Sequence, residues 1–228
     1  MGANSTGLQH SDDWPSIKTR SSDLDLYLQA IEEFVPYISA QLLIRQKAKH
    51  STEQCKYPIE ELEFETKELR NQIAGPLPSA VLGSTLVVMY SIFETTALGY
   101  AESLVREINC LPFNPKTERG EFIPKITRYY LEVLDVKLFE DSREAAEFDT
   151  LKELRHSFVH KHCSFNMLPK WLRAEIIAKK FLLSHCEVHN GQWLPTSACI
   201  SAFGQLIRQW ERHLFERIID RVGLDTFL

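Results

Sequence analysis

One arginine and three histidines crowd a single short stretch of this chain, Leu151-Lys152-Glu153-Leu154-Arg155-His156-Ser157-Phe158-Val159-His160-Lys161-His162. Arginine offers a planar, permanently charged donor fork that fits phosphate, and histidine is the side chain whose ordinary pKa lies nearest neutrality. A fixed cation beside groups that trade protons near pH 7 points to phosphodiester chemistry without a metal.

The element that must position these groups is a helix expected from about Asp141 to His160. At about 100° per residue, Leu151, Leu154 and Phe158 share the face that looks into a core, and Arg155 falls about 40° from the centre of that stripe. His156 falls at about 140° and His160 at about 180°, so both point away from the core. Arg155 and His160 therefore do not share a side of the helix. One site built from both requires a frayed helix end or a second copy of the chain. The competing structural reading places Arg155 in a salt bridge and leaves His160 merely exposed.

The rest of the chain reads as mainly all-α with one small β-hairpin near residues 182–194. Residues 1–21 lack apolar periodicity and are expected to form a loose tail, with Ser22-Asp23 as the N-cap of a helix. Leu24, Tyr27, Leu28, Ile31, Val35, Ile38, Leu42 and Leu43 form its stripe to about Lys49, with a kink expected at Pro36. Residues 58–73 predict a second, more polar helix, and 22–75 together a helical region packed on the same bundle as 76–228. After Gly75-Pro76-Leu77-Pro78, Ser79 is placed to cap a long apolar helix from Ala80 to about Ile108. Glu94 is a lone acid inside it, needing a partner if buried and none if it lies on an exposed edge. A loop at residues 111–120 leads to a helix bearing Ile126, Tyr129, Tyr130 and Leu134. A short amphipathic piece follows Pro169. His189-Asn190-Gly191 between apolar runs signals a hairpin, and Thr196-Ser197 caps a last helix bearing Ile200, Phe203, Trp210 and Ile218.

Composition narrows the class. A chain of 228 residues that is 44% hydrophobic and 25% charged can bury a sizeable core. The net charge of −5 argues against a surface built to grip long nucleic acid. From Leu151 to Lys180, however, seven Lys and Arg face two Glu, a local +5 on a remainder of −10. Such an island can draw a phosphate to one place, although a basic run is also the ordinary signature of a solvated face. The polar start and the lack of an apolar run near 20 residues predict a cytoplasmic protein with no membrane segment. The five scattered cysteines, with no C-x-x-C pair, read as reduced thiols. His156-x3-His160 and His185-x3-His189 have one-turn ligand spacing and could, with Cys163 or Cys186, bind zinc. No carboxylate motif accompanies them, and no metal or other cofactor is assigned.

In this setting Arg155-His156-Ser157-Phe158-Val159-His160 resembles the R-x4-H signature of the HEPN superfamily (higher eukaryotes and prokaryotes nucleotide-binding). The long helix with Met89-Tyr90-Ser91-Ile92-Phe93-Glu94 looks like the family's core helix before the motif, and the likeness extends over roughly Ser79 to Arg221. Members often carry asparagine after the arginine, where this chain has His156. The resemblance implies a metal-independent endoribonuclease, possible as a toxin or antiphage effector, in which two chains place their motifs across a shared cleft. Arg155 would hold the scissile phosphate, and His160 would act as general base on the ribose 2′-hydroxyl or acid to the leaving 5′-oxygen. His156 would join them, with Glu94, Lys161 and His162 supporting. The products would be a 2′,3′-cyclic phosphate and a 5′-hydroxyl. The implied partners are RNA, a second copy in a homodimer, and an antitoxin of nucleotidyltransferase type. The alternative is a noncatalytic HEPN-like module for dimerisation or partner binding.

Overall fold

The computed structural model describes residues 17–53, 59–74, 76–114 and 121–223. The chain is mainly helical, with α1 Ile17–Glu53, α2 Ile59–Ala74, α3 Pro76–Ile108, α4 Phe122–Glu132, α5 Ser142–Lys161, α6 Lys170–Ile177 and α7 Ser197–Val222. A two-stranded antiparallel hairpin, β1 Cys186–His189 and β2 Gln192–Pro195, lies between α6 and α7.

Several boundaries differ from those expected. α1 begins at Ile17, so residues 17–21 are helical rather than part of a tail, and Ser22-Asp23 lies inside the helix. Nothing between Ile17 and Ser22 breaks a helix, so missing apolar periodicity was a poor stop signal. Residues 1–16 lie outside the described residues. α3 begins at Pro76, with Ser79 inside it instead of capping it. Proline needs no amide partner in a first helical turn, so Pro76 and Pro78 both fit there. Pro36 lies inside the continuous α1. α3 also corrects the expectation about apolar runs, because Ala80–Ile108 is long and apolar enough to cross a membrane by length and composition. Here it serves as a core helix, with Leu86, Met89, Phe93, Ala97 and Leu104 buried.

The chain divides into two compact units. Among the described residues, one contains 17–23, 93–114, 121–145 and 208–223. Its core sets Phe93 against Trp210, with ring centroids 4.9 Å apart in an edge arrangement. Tyr130 donates its hydroxyl to the Ala97 carbonyl at 2.6 Å, and the Trp210 indole donates to the Leu138 carbonyl at 3.0 Å. These bonds satisfy the polar tips of large buried rings, as a packed interior requires.

The other unit contains residues 24–92 and 146–207. Leu82, Leu86 and Met89 of α3, Phe148, Leu151 and Leu154 of α5, and Ile200 and Phe203 of α7 are buried there. The hairpin turn has Asn190 at φ 49° and Gly191 at φ 76°, the paired positive values of a type I′ turn. The strands are shorter than the expected span, because Phe181–His185 forms a 3-10 turn and pairing begins at Cys186. Thr196 caps α7, its hydroxyl accepting from the Cys199 amide at 3.3 Å and donating to the His185 carbonyl at 2.6 Å.

Candidate functional site

The R-x4-H segment occupies the last two turns of α5, which stays helical through Lys161. His160 is therefore not on a frayed end. Leu151 and Leu154 are fully buried, as their shared face requires, and Phe158 is half-buried. The Phe158 ring lies directly over Gly83 of α3, where an added Cβ would overlap the ring. A glycine at that point lets the aromatic ring of the motif seat against the neighbouring backbone.

Arg155 is half-buried at the edge of this packed face. Its Cζ lies 5.9 Å from the ring centroid of Tyr90, itself buried on α3. That is the outer range of a cation–π contact, so aromatic packing helps hold the guanidinium. The Nε atom is covered and has no hydrogen-bond partner. A donor left so costs about 1–3 kcal/mol, a penalty that polar side chains in a fold usually avoid. Among the described residues no carboxylate pairs with Arg155, which separates the structure from the salt-bridge reading.

His156 and His160 are exposed on the opposite side, their rings 4.8 Å apart and inclined at 47°. One helical turn separates them, so two imidazoles stand side by side in water. Lys161 is turned to local structure, donating its ammonium to the Met167 carbonyl at 3.2 Å. Glu94 is half-buried on α3, in the other unit, and has interactions of its own.

His162 and Cys163 end the helix. Both adopt positive φ, 49° and 57°, and the Cys163 amide bonds back to the Ser157 carbonyl, six residues earlier, at 3.2 Å, one residue wider than the closure of a Schellman end. Consecutive left-handed residues other than glycine are strained, so something must hold them. The hairpin does so. The Trp193 amide donates to the Cys163 carbonyl at 2.9 Å, the Phe165 amide donates to the Gly191 carbonyl at 2.9 Å, and Gln192 Nε2 donates to the His162 carbonyl at 3.2 Å. The fully buried Trp193 also gives its indole N–H to the Ser157 hydroxyl at 2.9 Å, in the middle of the motif. His162 thus serves through its backbone, while its side chain is exposed.

Tyr90, Ser157, Trp193 and Gly83 were missed as site-shaping residues. A signal existed for two of them: a glycine within a long apolar helix and a tryptophan just after an Asn-Gly turn. Of the two histidine pairs, His156 and His160 lie one turn apart on a helix and His185 and His189 do not. His185 ends a 3-10 turn while His189 ends β1, so those two share no helix face. Among the described residues no group of three or more His, Cys, Asp or Glu is placed to hold a metal ion. Burial pushes the Cys163 thiol up to about 11, so it is a poor thiolate ligand or nucleophile near neutrality. The chain matches no protein-family profile, no curated protein and no solved structure.

Proposed function

We propose that this chain is a metal-independent endoribonuclease of HEPN type, acting as a toxin or antiphage effector in the cytoplasm. The observation that carries the reading is the division of labour on α5. Arg155 is held at the edge of the core with no carboxylate partner among the described residues, while His156 and His160 stand together in solvent. A phosphate at the guanidinium would partner a cation whose Nε has no hydrogen-bond acceptor among the described residues.

Because Arg155 and His160 leave α5 in different directions, the complete site takes two chains. Arg155 of one chain neutralises the scissile phosphate. His160 takes the 2′-hydroxyl proton or protonates the leaving 5′-oxygen, and His156, in ring contact with it, supplies a neighbouring proton carrier. The 2′-oxygen then attacks phosphorus and the P–O5′ bond breaks, giving a 2′,3′-cyclic phosphate and a 5′-hydroxyl. An antitoxin of nucleotidyltransferase type would restrain such an activity.

Purified protein incubated with total RNA in excess EDTA tests this directly. The wild type is expected to cleave, with His160→Ala slowed by about 10² to 10⁴ and Arg155→Ala losing phosphate binding as well. Cleavage abolished by the chelator would make the enzyme metal-dependent. No cleavage of any RNA would leave a noncatalytic partner-binding module.

A further inference from the structure

His156 and His160 stand one turn apart on α5, both exposed, with ring centroids 4.8 Å apart and planes inclined at 47°. A bond from zinc to an imidazole nitrogen is about 2.0–2.1 Å long and continues for about 1.2 Å to the ring centre, so two rings sharing one ion have centroids about 4.5 Å apart at a right angle and about 5.2 Å apart at the tetrahedral angle. The observed separation falls between those limits. The helix thus sets the rings at the span of a chelate, and only torsions of exposed side chains remain to aim their nitrogens. The surroundings favour a cation. At about 100° per residue, Asp149 and Glu153 continue the same line of the helix, two turns before His156 and His160 respectively. Lys152 pairs with both, at 3.0 and 3.5 Å, and two carboxylates against one ammonium leave one negative charge in excess. Arg155 lies about 120° round the helix from that line, and Lys161 is drawn off to the Met167 carbonyl.

We propose that His156 and His160 form a chelating site for a divalent late first-row ion, zinc, nickel or copper, the class that imidazole suits. Two protein ligands leave the remaining positions to water, so the site is open and its occupation reversible. A neutral imidazole has one nitrogen lone pair, the same pair that accepts a proton, and a bound ion takes it. In RNA cleavage the ion is therefore an inhibitor, because it removes His160 from proton transfer. That consequence rests on the ribonuclease reading, whereas the chelate itself does not.

Calorimetric titration of nickel chloride into the full chain, with no RNA present, tests the site. Bound nickel is expected to lose about tenfold or more in affinity in both His156→Ala and His160→Ala, because a second tethered ligand acts at high effective concentration. Both positions are exposed, so unchanged helical content by circular dichroism is expected of the variants. His162→Ala and His185→Ala should bind nickel as the wild type does, and magnesium should not compete. Nickel that fails to bind, or that binds the wild type and both variants alike, overturns the proposal. Inhibition is read separately, from cleavage of total RNA with and without saturating nickel. Cleavage lost with nickel and restored by EDTA supports it, and cleavage unchanged or raised by nickel overturns it. A chain that cleaves no RNA under any condition removes the ribonuclease reading and the inhibition with it, while the titration still decides the chelate.

Discussion

Ser157 is the residue on which the motif's surroundings turn. It sits between Arg155 and His160, is 1% exposed, and receives the indole hydrogen bond of Trp193. Ser157→Ala leaves that buried N–H without an acceptor, an expected loss of about 1–3 kcal/mol in urea unfolding. Trp193→Phe removes the donor as well, so the double variant should lose less than the sum of the two. An unchanged urea midpoint for Ser157→Ala would show that the bond carries no stability. The directions of Arg155, His156 and His160 were legible in the sequence, because helical periodicity ties each to the buried Leu151 and Leu154. Ser157 was not, since a serine on a helix announces no partner and its donor lies 36 residues downstream.

At the scale of elements, two glycines behave differently. A Cβ at Gly83 would overlap the rigid ring of Phe158, whereas the nearest atom to one at Gly204 is the terminal Cδ1 of Leu28 at 2.7 Å. Gly83→Ala is therefore expected to cost about 1–3 kcal/mol through overpacking and to displace the helix that carries the motif. Gly204→Ala should cost less, because a leucine tip can turn aside and alanine favours helix by about 1 kcal/mol. Thermal melts of the two variants decide it, and equal melting temperatures would refute the distinction. The order of elements was readable from proline, glycine and apolar spacing, and the Asn-Gly turn even gave the hairpin's geometry. Helix starts were less so, because Pro76 fits a first turn as readily as it ends a preceding segment. The stripe read in α1 holds for Leu28, which is buried, and for Ile31, Ile38, Leu42 and Leu43, which are half-buried, whereas Leu26, Phe34, Tyr37 and Ile44 lie outside it and are exposed.

For the molecule as a whole, the thiols report how tightly the chain is closed. Cys186 and Cys199 are buried with sulfurs 3.4 Å apart, and their mutual hydrogen bond, then burial, raises the Cys199 pKa well above the usual thiol range. Cys110 and Cys163 are half-buried, and Cys55 lies outside the described residues. In native protein, Cys186 and Cys199 should resist iodoacetamide until denaturant is added. Cys163 should react slowly at pH 8 and gain about tenfold in rate per pH unit toward about 11, since only the thiolate attacks. Rapid labelling of Cys186 or Cys199 without denaturant, followed by peptide mapping, would contradict the packing described. A sequence without paired cysteine motifs leads to an expectation of reduced thiols. Their proximity does not, because it depends on the hairpin docking near the start of α7.

The bonds between the end of α5 and the hairpin have a consequence for biosynthesis. They tie residues 157–165 to residues 191–193, so none of them can form while the ribosome has reached only the motif. Chains are made from the N-terminus and fold as their partners arrive. A nascent chain that already displays Arg155 and His160 still lacks the anchor for the strained turn at His162 and Cys163. The timing of translation thus separates the making of the motif from its fixing in place, and a message broken between those points yields a chain whose helix end is unsecured.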